Sequence, residues 1–157
     1  MTMISKTETQ QYFFEVELSC TENGKGILKA NDIVGSIEIA TAPGFKGGIP
    51  GIWTPEHLFL GSLCSDYLTT CLAVAEKQNF KIHQVTCNAI GQINQYRDHL
   101  EFTTINLYPK IEIESDEAVE QANDILLSAY QHCVIANSVK SLLINHGEVT
   151  VNKAVLL

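Results

Sequence analysis

Thr54-Pro55-Glu56-His57-Leu58-Phe59-Leu60 opens the longest regular element of this 157-residue chain, and the rest of the fold can be read outward from it. Thr54 supplies a side-chain oxygen for an N-cap, Pro55 has the fixed φ that suits the first helical position, and Glu56 faces the positive end of the dipole. Beyond them Leu60, Leu63, Tyr67, Leu68, Leu72 and Val74 leave little polar face before Lys77, where the helix is expected to end. A helix this apolar nearly all round is a buried one, here expected to pack between subunits.

Upstream, Thr41 to Trp53 holds Pro43, Gly44, Gly47, Gly48, Pro50 and Gly51 and reads as a loop long enough to carry function. Its glycines lack the Lys-Ser/Thr ending of a phosphate cradle. Further back, Phe14, Val16, Leu18 and Cys20 alternate with polar residues, predicting a strand with one buried face. Asn23-Gly24 is a turn signal, Ile27 to Ala30 its return strand, and Ile33 to Ala40 a third strand.

Downstream, Phe80 to Ile93 and His99 to Ile113 read as two long strands joined by a polar turn over Asn94 to Asp98. Their alternation slips from Ile82 to Val85 and from Phe102 to Ile105, which predicts bulges. Ser115-Asp116-Glu117 opens an amphipathic helix with Val119, Ala122, Ile125, Leu126 and Ala129 inward. A second helical stretch carries Ile135, Val139, Leu142 and Leu143 and stops at Asn145-His146-Gly147, with Gly147 as C-cap. Val149 and Val151 add a closing strand. The order βββ–α–ββ–αα–β predicts one α+β domain over residues 1–157.

The formal charge is −8 and the ten basic residues are scattered, which argues against a nucleic-acid partner. No uninterrupted apolar run approaches the ~20 residues of a membrane span. The polar stretch Met1 to Gln11 is unlike a signal peptide, so a cytoplasmic protein is expected. Cys20, Cys64, Cys71, Cys87 and Cys133 contain no C-x-x-C pair, so free thiols are the default. His57, Cys64 and Cys71 share a helical face, but neighbours two turns apart lie about 10 Å apart in rise, too far for one ion. No metal and no cofactor is expected.

Cys133 is the thiol that stands out. Placed near the start of the second helical stretch, it would meet helix amides and a dipole that favour the thiolate. The alternative is a small buried core residue. Asp66, deep in an apolar helix, needs a partner, hydration or a proton. From the residues alone, hydrogen bonds from Ser62, Thr69 or Thr70 are one way to satisfy it.

The opening motif Thr54-Pro55-Glu56-His57-Leu58-Phe59-Leu60, followed by His132-Cys133-Val134-Ile135-Ala136-Asn137-Ser138, resembles the osmotically inducible protein C (OsmC) family, which includes the organic hydroperoxide resistance proteins. The resemblance implies an intertwined homodimer with active sites built from both chains. It also implies a first cysteine that attacks a peroxide, a second that condenses with the sulfenic acid, and a dithiol that reduces the disulfide. Cys133 falls on the second cysteine and Glu56 on the acidic residue that orients the thiolate. The attacking position, eleven residues beyond Pro55, is Asp66; the resemblance implies that it faces Cys133, where an ionised carboxylate would raise that thiol's pKa and Lys25 could offset the effect. The family's Arg has only Lys25 as a loose counterpart, without the planar guanidinium fork. At about 100° per residue, Cys64 projects roughly 200° and Cys71 about 140° from Asp66. Cys64 is the possible substitute thiol, although its stripe with Leu60, Tyr67 and Cys71 also reads as core. Two functions follow: a thiol peroxidase for apolar hydroperoxides using Cys133 alone or with Cys64, or a peroxidase-inactive dimer that binds a small apolar ligand.

Overall fold

The computed structural model describes residues 10–21 and 23–152. The chain clusters into two units divided between Pro55 and Glu56. In the first, β1 (Glu17–Cys20), β2 (Gly26–Lys29) and β3 (Ile37–Ile39) form an antiparallel sheet in the order β1-β2-β3. Gly24 takes φ 72° in the β1–β2 connection, a conformation that costs glycine little. Lys25 Nζ pairs with Glu38 Oε1 at 3.0 Å. The buried face expected for the first strand is not formed: Phe14 is 95% exposed, Val16 68% and Leu18 59%.

The second unit carries the core. α1 (Pro55–Lys77) is the helix announced by Thr54-Pro55-Glu56. Its C-terminus is closed by Asn79 at φ 52°, with Phe80 N donating to Ala75 O at 2.9 Å and Asn79 N to Glu76 O at 3.0 Å. Those two bonds are the Schellman pattern, with asparagine in the left-handed position usually held by glycine. β4 (Gln84–Tyr96) and β5 (His99–Ile113) make a long antiparallel hairpin around Arg97-Asp98. Their register changes from Gln92↔Thr104 to Ile93↔Phe102, so Thr103 is the extra residue of a bulge within the predicted Phe102–Ile105 slip. A short 3₁₀ turn (Asp116–Ala118), N-capped by Ser115, leads into α2 (Val119–His132). Leu63, Tyr67, Cys71 and Ala75 of α1 join Ile105, Leu107, Ile111 and Ile113 of β5 and Ala122, Ile125, Leu126 and Ala129 of α2 in one buried cluster.

The second helix expected after Gln131-His132 does not form. Ala136–Ser138 makes one 3₁₀ turn, and Leu142–Asn145 is instead β6, parallel to β5. Ile135, Val139, Leu142 and Leu143 fit a helical spacing, but a short apolar run bounded by turns fits a buried strand equally well. The outer edge of β5 decides between them, because its backbone groups need partners. Gly147 accordingly joins β6 to β7 (Glu148–Val151) rather than capping a helix. Pro109, inside β5, falls where the partner strand changes from β6 to β7, between the Leu107↔Asn145 and Lys110↔Glu148 pairs. A proline there leaves no gap in a ladder that is already interrupted.

Candidate active site

α1 passes the core at Tyr67, whose hydroxyl donates to Leu126 O of α2 at 2.6 Å. That bond fixes the rotation of α1 and turns Asp66 toward the end of α2. Asp66 Oδ2 accepts from Cys133 Sγ at 2.8 Å and from Ile135 N at 2.7 Å, while Thr70 Oγ1 lies at 3.5 Å from Oδ1. Ser62 and Thr69 donate to backbone carbonyls instead, Ser62 to Phe59 and Thr69 to Asp66 itself. Of the two surroundings open to Asp66, the facing arrangement with Cys133 is the one formed, with Thr70 as a weak accessory.

Cys133 is buried and is the C-cap of α2, with φ −63° and ψ 114°, not the start of a helix. The dipole there is negative and opposes a thiolate. Burial comes first, and the hydrogen bond to Asp66 adds to it, pushing the Cys133 thiol up to about 11. The amides of Ala136 and Ile135 pull the other way without overcoming it. His132 turns away, its Nδ1 lying 2.8 Å from Ser128 O. Cys133 is therefore held as a protonated donor to Asp66, with its thiolate disfavoured.

Glu56 stands in the first turn of α1, ten residues before Asp66, which at 1.5 Å per residue is about 15 Å along the axis. Its Oε2 is buried without a hydrogen-bond partner among the described residues. The chain thus brings Asp66 and Cys133 together and leaves Glu56 one end of the helix away.

Cys64 has a different neighbour from either. Its thiol neighbours that of Cys87 of β4, whose Sγ also lies 3.9 Å from Asn88 O. That contact favours the Cys64 thiolate and draws its pKa down, against a smaller opposing effect of burial. Cys87 is pushed up by the same contact and by burial, with further repulsion from Cys64, Cys133 and Cys71. Cys71, buried in the core, is raised to about 11 by desolvation. Four of the five thiols thus gather between α1, β4 and the end of α2, and one of them is drawn toward ionisation.

An α+β chain with a long, partly buried apolar helix across a sheet and thiols at their contact is defined as a class by its relatives. The family model for OsmC-like proteins matches residues 47–145, and the chain belongs to that family. No curated protein sequence is a match. Among solved structures, an OsmC-like protein of unknown function from Vibrio cholerae superposes with a TM-score of 0.75 at 18% identity, over 87% of this chain and 99% of that one. An organic hydroperoxide resistance protein from Elizabethkingia anophelis gives 0.71 at 20% identity, over 91% and 99%. That of Bacillus subtilis gives 0.63 at 15%, over 88% and 98%. At these identities the likeness establishes the fold.

Proposed function

We propose that the protein is a thiol-dependent peroxidase for organic hydroperoxides in which attack begins at Cys64 rather than at position 66. Membership of the OsmC-like family and the names of the Elizabethkingia and Bacillus relatives support the substrate class. The observation that carries the choice of sulfur is the Cys64–Cys87 contact, which eases ionisation of a half-buried thiol on the family's helix. The Cys64 thiolate takes the terminal peroxide oxygen, the O–O bond breaks, and the alkoxide leaves with a proton as the alcohol. Phe59 and Leu60, one turn before Cys64, and Phe102, whose ring lies 5.0 Å from that of Phe59, give the apolar surroundings that suit a bulky hydroperoxide. The acting form is a cytoplasmic homodimer, with residues 1–157 as one domain and a dithiol as the reductant. Glu56, Asp66 and Cys133 adjust charge around the site, whereas Lys25, the loose counterpart of the family's Arg, is taken up in its own unit by the ion pair with Glu38.

The test is dithiol-dependent turnover of cumene hydroperoxide. Saturable turnover is expected, abolished by Cys64→Ser and kept by Cys20→Ser, which alters an exposed thiol of the first unit. Full activity in Cys64→Ser would sink the assignment.

The Asp66–Cys133 hydrogen bond favours a second function: a peroxidase-inactive dimer that binds a small apolar ligand. In that case the wild type is silent and Asp66→Cys, which restores a thiol opposite Cys133, creates activity. A folded but silent Asp66→Cys variant would count against it.

A further inference from the structure

β4 alternates exposed and partly buried residues, and Val85, Cys87, Ala89 and Gly91 share its inward face. α1 lies on that face. A Cβ at Gly91 would come within 2.9 Å of Leu60 Cδ2, so the missing side chain admits the helix, and Cys64 follows Leu60 by one turn on the same side. Cys64 and Cys87 are the cysteines on these two facing surfaces, and their thiols are neighbours. Cys133 is occupied elsewhere, its Sγ 2.8 Å from Asp66 Oδ2. All of these thiols are free in this structure.

We propose that Cys64 and Cys87 are a reversible dithiol–disulfide pair, with Cys87 resolving the sulfenic acid formed on Cys64 and the bridge running from α1 to β4. The proposal rests on the peroxidase function above and moves both halves of the redox pair away from Asp66 and Cys133. Oxidation by one hydroperoxide leaves Cys64 as S–OH and releases one alcohol. The Cys87 sulfur then forms the S–S bond, the S–O bond breaks, and the hydroxyl leaves with the Cys87 proton as water. A dithiol returns both cysteines to thiols and is itself oxidised to a disulfide. The order of events follows from the contact. While Cys64 is an anion it holds the Cys87 proton, and Cys87 cannot attack. Conversion of Cys64 to a neutral sulfenic acid removes that charge and frees Cys87.

The pair is tested by treating the reduced protein with one equivalent of cumene hydroperoxide, blocking remaining thiols and mapping peptides without reduction. The expected product is a Cys64–Cys87 cross-link with the loss of two hydrogens. Cys87→Ser is expected to stop at a Cys64 sulfenic acid that dimedone traps, keeping the first turnover and losing the rest. A Cys64–Cys133 link, or a Cys64 sulfenic acid that persists in the wild type, overturns the pairing while leaving Cys64 as the attacking thiol. A parallel arm uses diamide, which oxidises neighbouring thiols without a peroxide. A diamide cross-link in a protein inert to hydroperoxide keeps the pair and overturns the peroxidase function. No Cys64–Cys87 link with either oxidant overturns the pair.

Discussion

With Asp66 Oδ2 accepting from Cys133 Sγ at 2.8 Å, ionising the thiol would put two negative charges in contact. Burial already opposes that ionisation, and the carboxylate adds to it. A thiol raised from 9.0 to about 11 binds its proton more tightly in the folded state than in the unfolded one. Its contribution is therefore complete below the ordinary value and is lost as the pH climbs through the folded value, on the order of 2 kcal/mol in all. In Asp66→Asn the Cys133 titration is expected to fall part of the way back toward 9, because burial remains. Ultraviolet thiolate absorbance, assigned by difference from Cys133→Ser, measures the shift, and an unchanged midpoint would remove Asp66 as a cause. Asp66 was legible as an anomaly because a carboxylate in an apolar helix demands a partner. Cys87 was not, because a cysteine at an alternating strand position looks like any small apolar residue until a helix is laid on it.

At the scale of elements, the contact between α1 and β4 is decided by what Gly91 lacks. A Cβ there would stand 2.5 Å from Phe102 Cε1 as well as 2.9 Å from Leu60 Cδ2, and the Phe102 ring is already held against Phe59 at 5.0 Å between centroids. Gly91→Ala is expected to cost about 1–3 kcal/mol as overpacking, read as a lower urea midpoint at unchanged m-value. Because Leu60 must yield, Cys64 should also move off Cys87 and the diamide cross-link should slow; a stable variant that cross-links normally would contradict this account of the docking. Further along the same stripe of α1, Tyr67→Phe removes the 2.6 Å bond to Leu126 O and is expected to cost about 1 kcal/mol in the same measurement. Caps, periodicity and the bulge were all readable because each is written in neighbouring residues. The strand Leu142–Asn145 was not, since its conformation is set by an open edge of β5 more than thirty residues away in sequence.

For the whole molecule, the decisive property is apolar surface that the single chain does not cover. α1 has the length and mean hydropathy of a membrane span, yet only 22% of its most apolar 18-residue window is buried. In the first unit Phe14, Val16 and Leu18 are exposed as well. An apolar face of this extent on α1 marks an interaction site. Asp66 sits inside α1, and its bonds to Cys133 and Ile135 tie the helix to its own chain, which favours a protein partner over lipid. A second copy, as in the homodimer proposed above, would cover that face and would also bring a Glu56 that its own chain leaves about 15 Å from Asp66. Sedimentation at about 10 μM should therefore show a dimer, with Leu72→Glu, at a position 48% exposed on α1, weakening it at least about tenfold, or 1.4 kcal/mol. A loss of peroxide turnover in parallel with the dimer would follow if each site draws on both chains. A wild-type monomer with full turnover would show that one chain holds the whole site, and flotation with lipid vesicles would show that the apolar face of α1 meets a membrane instead.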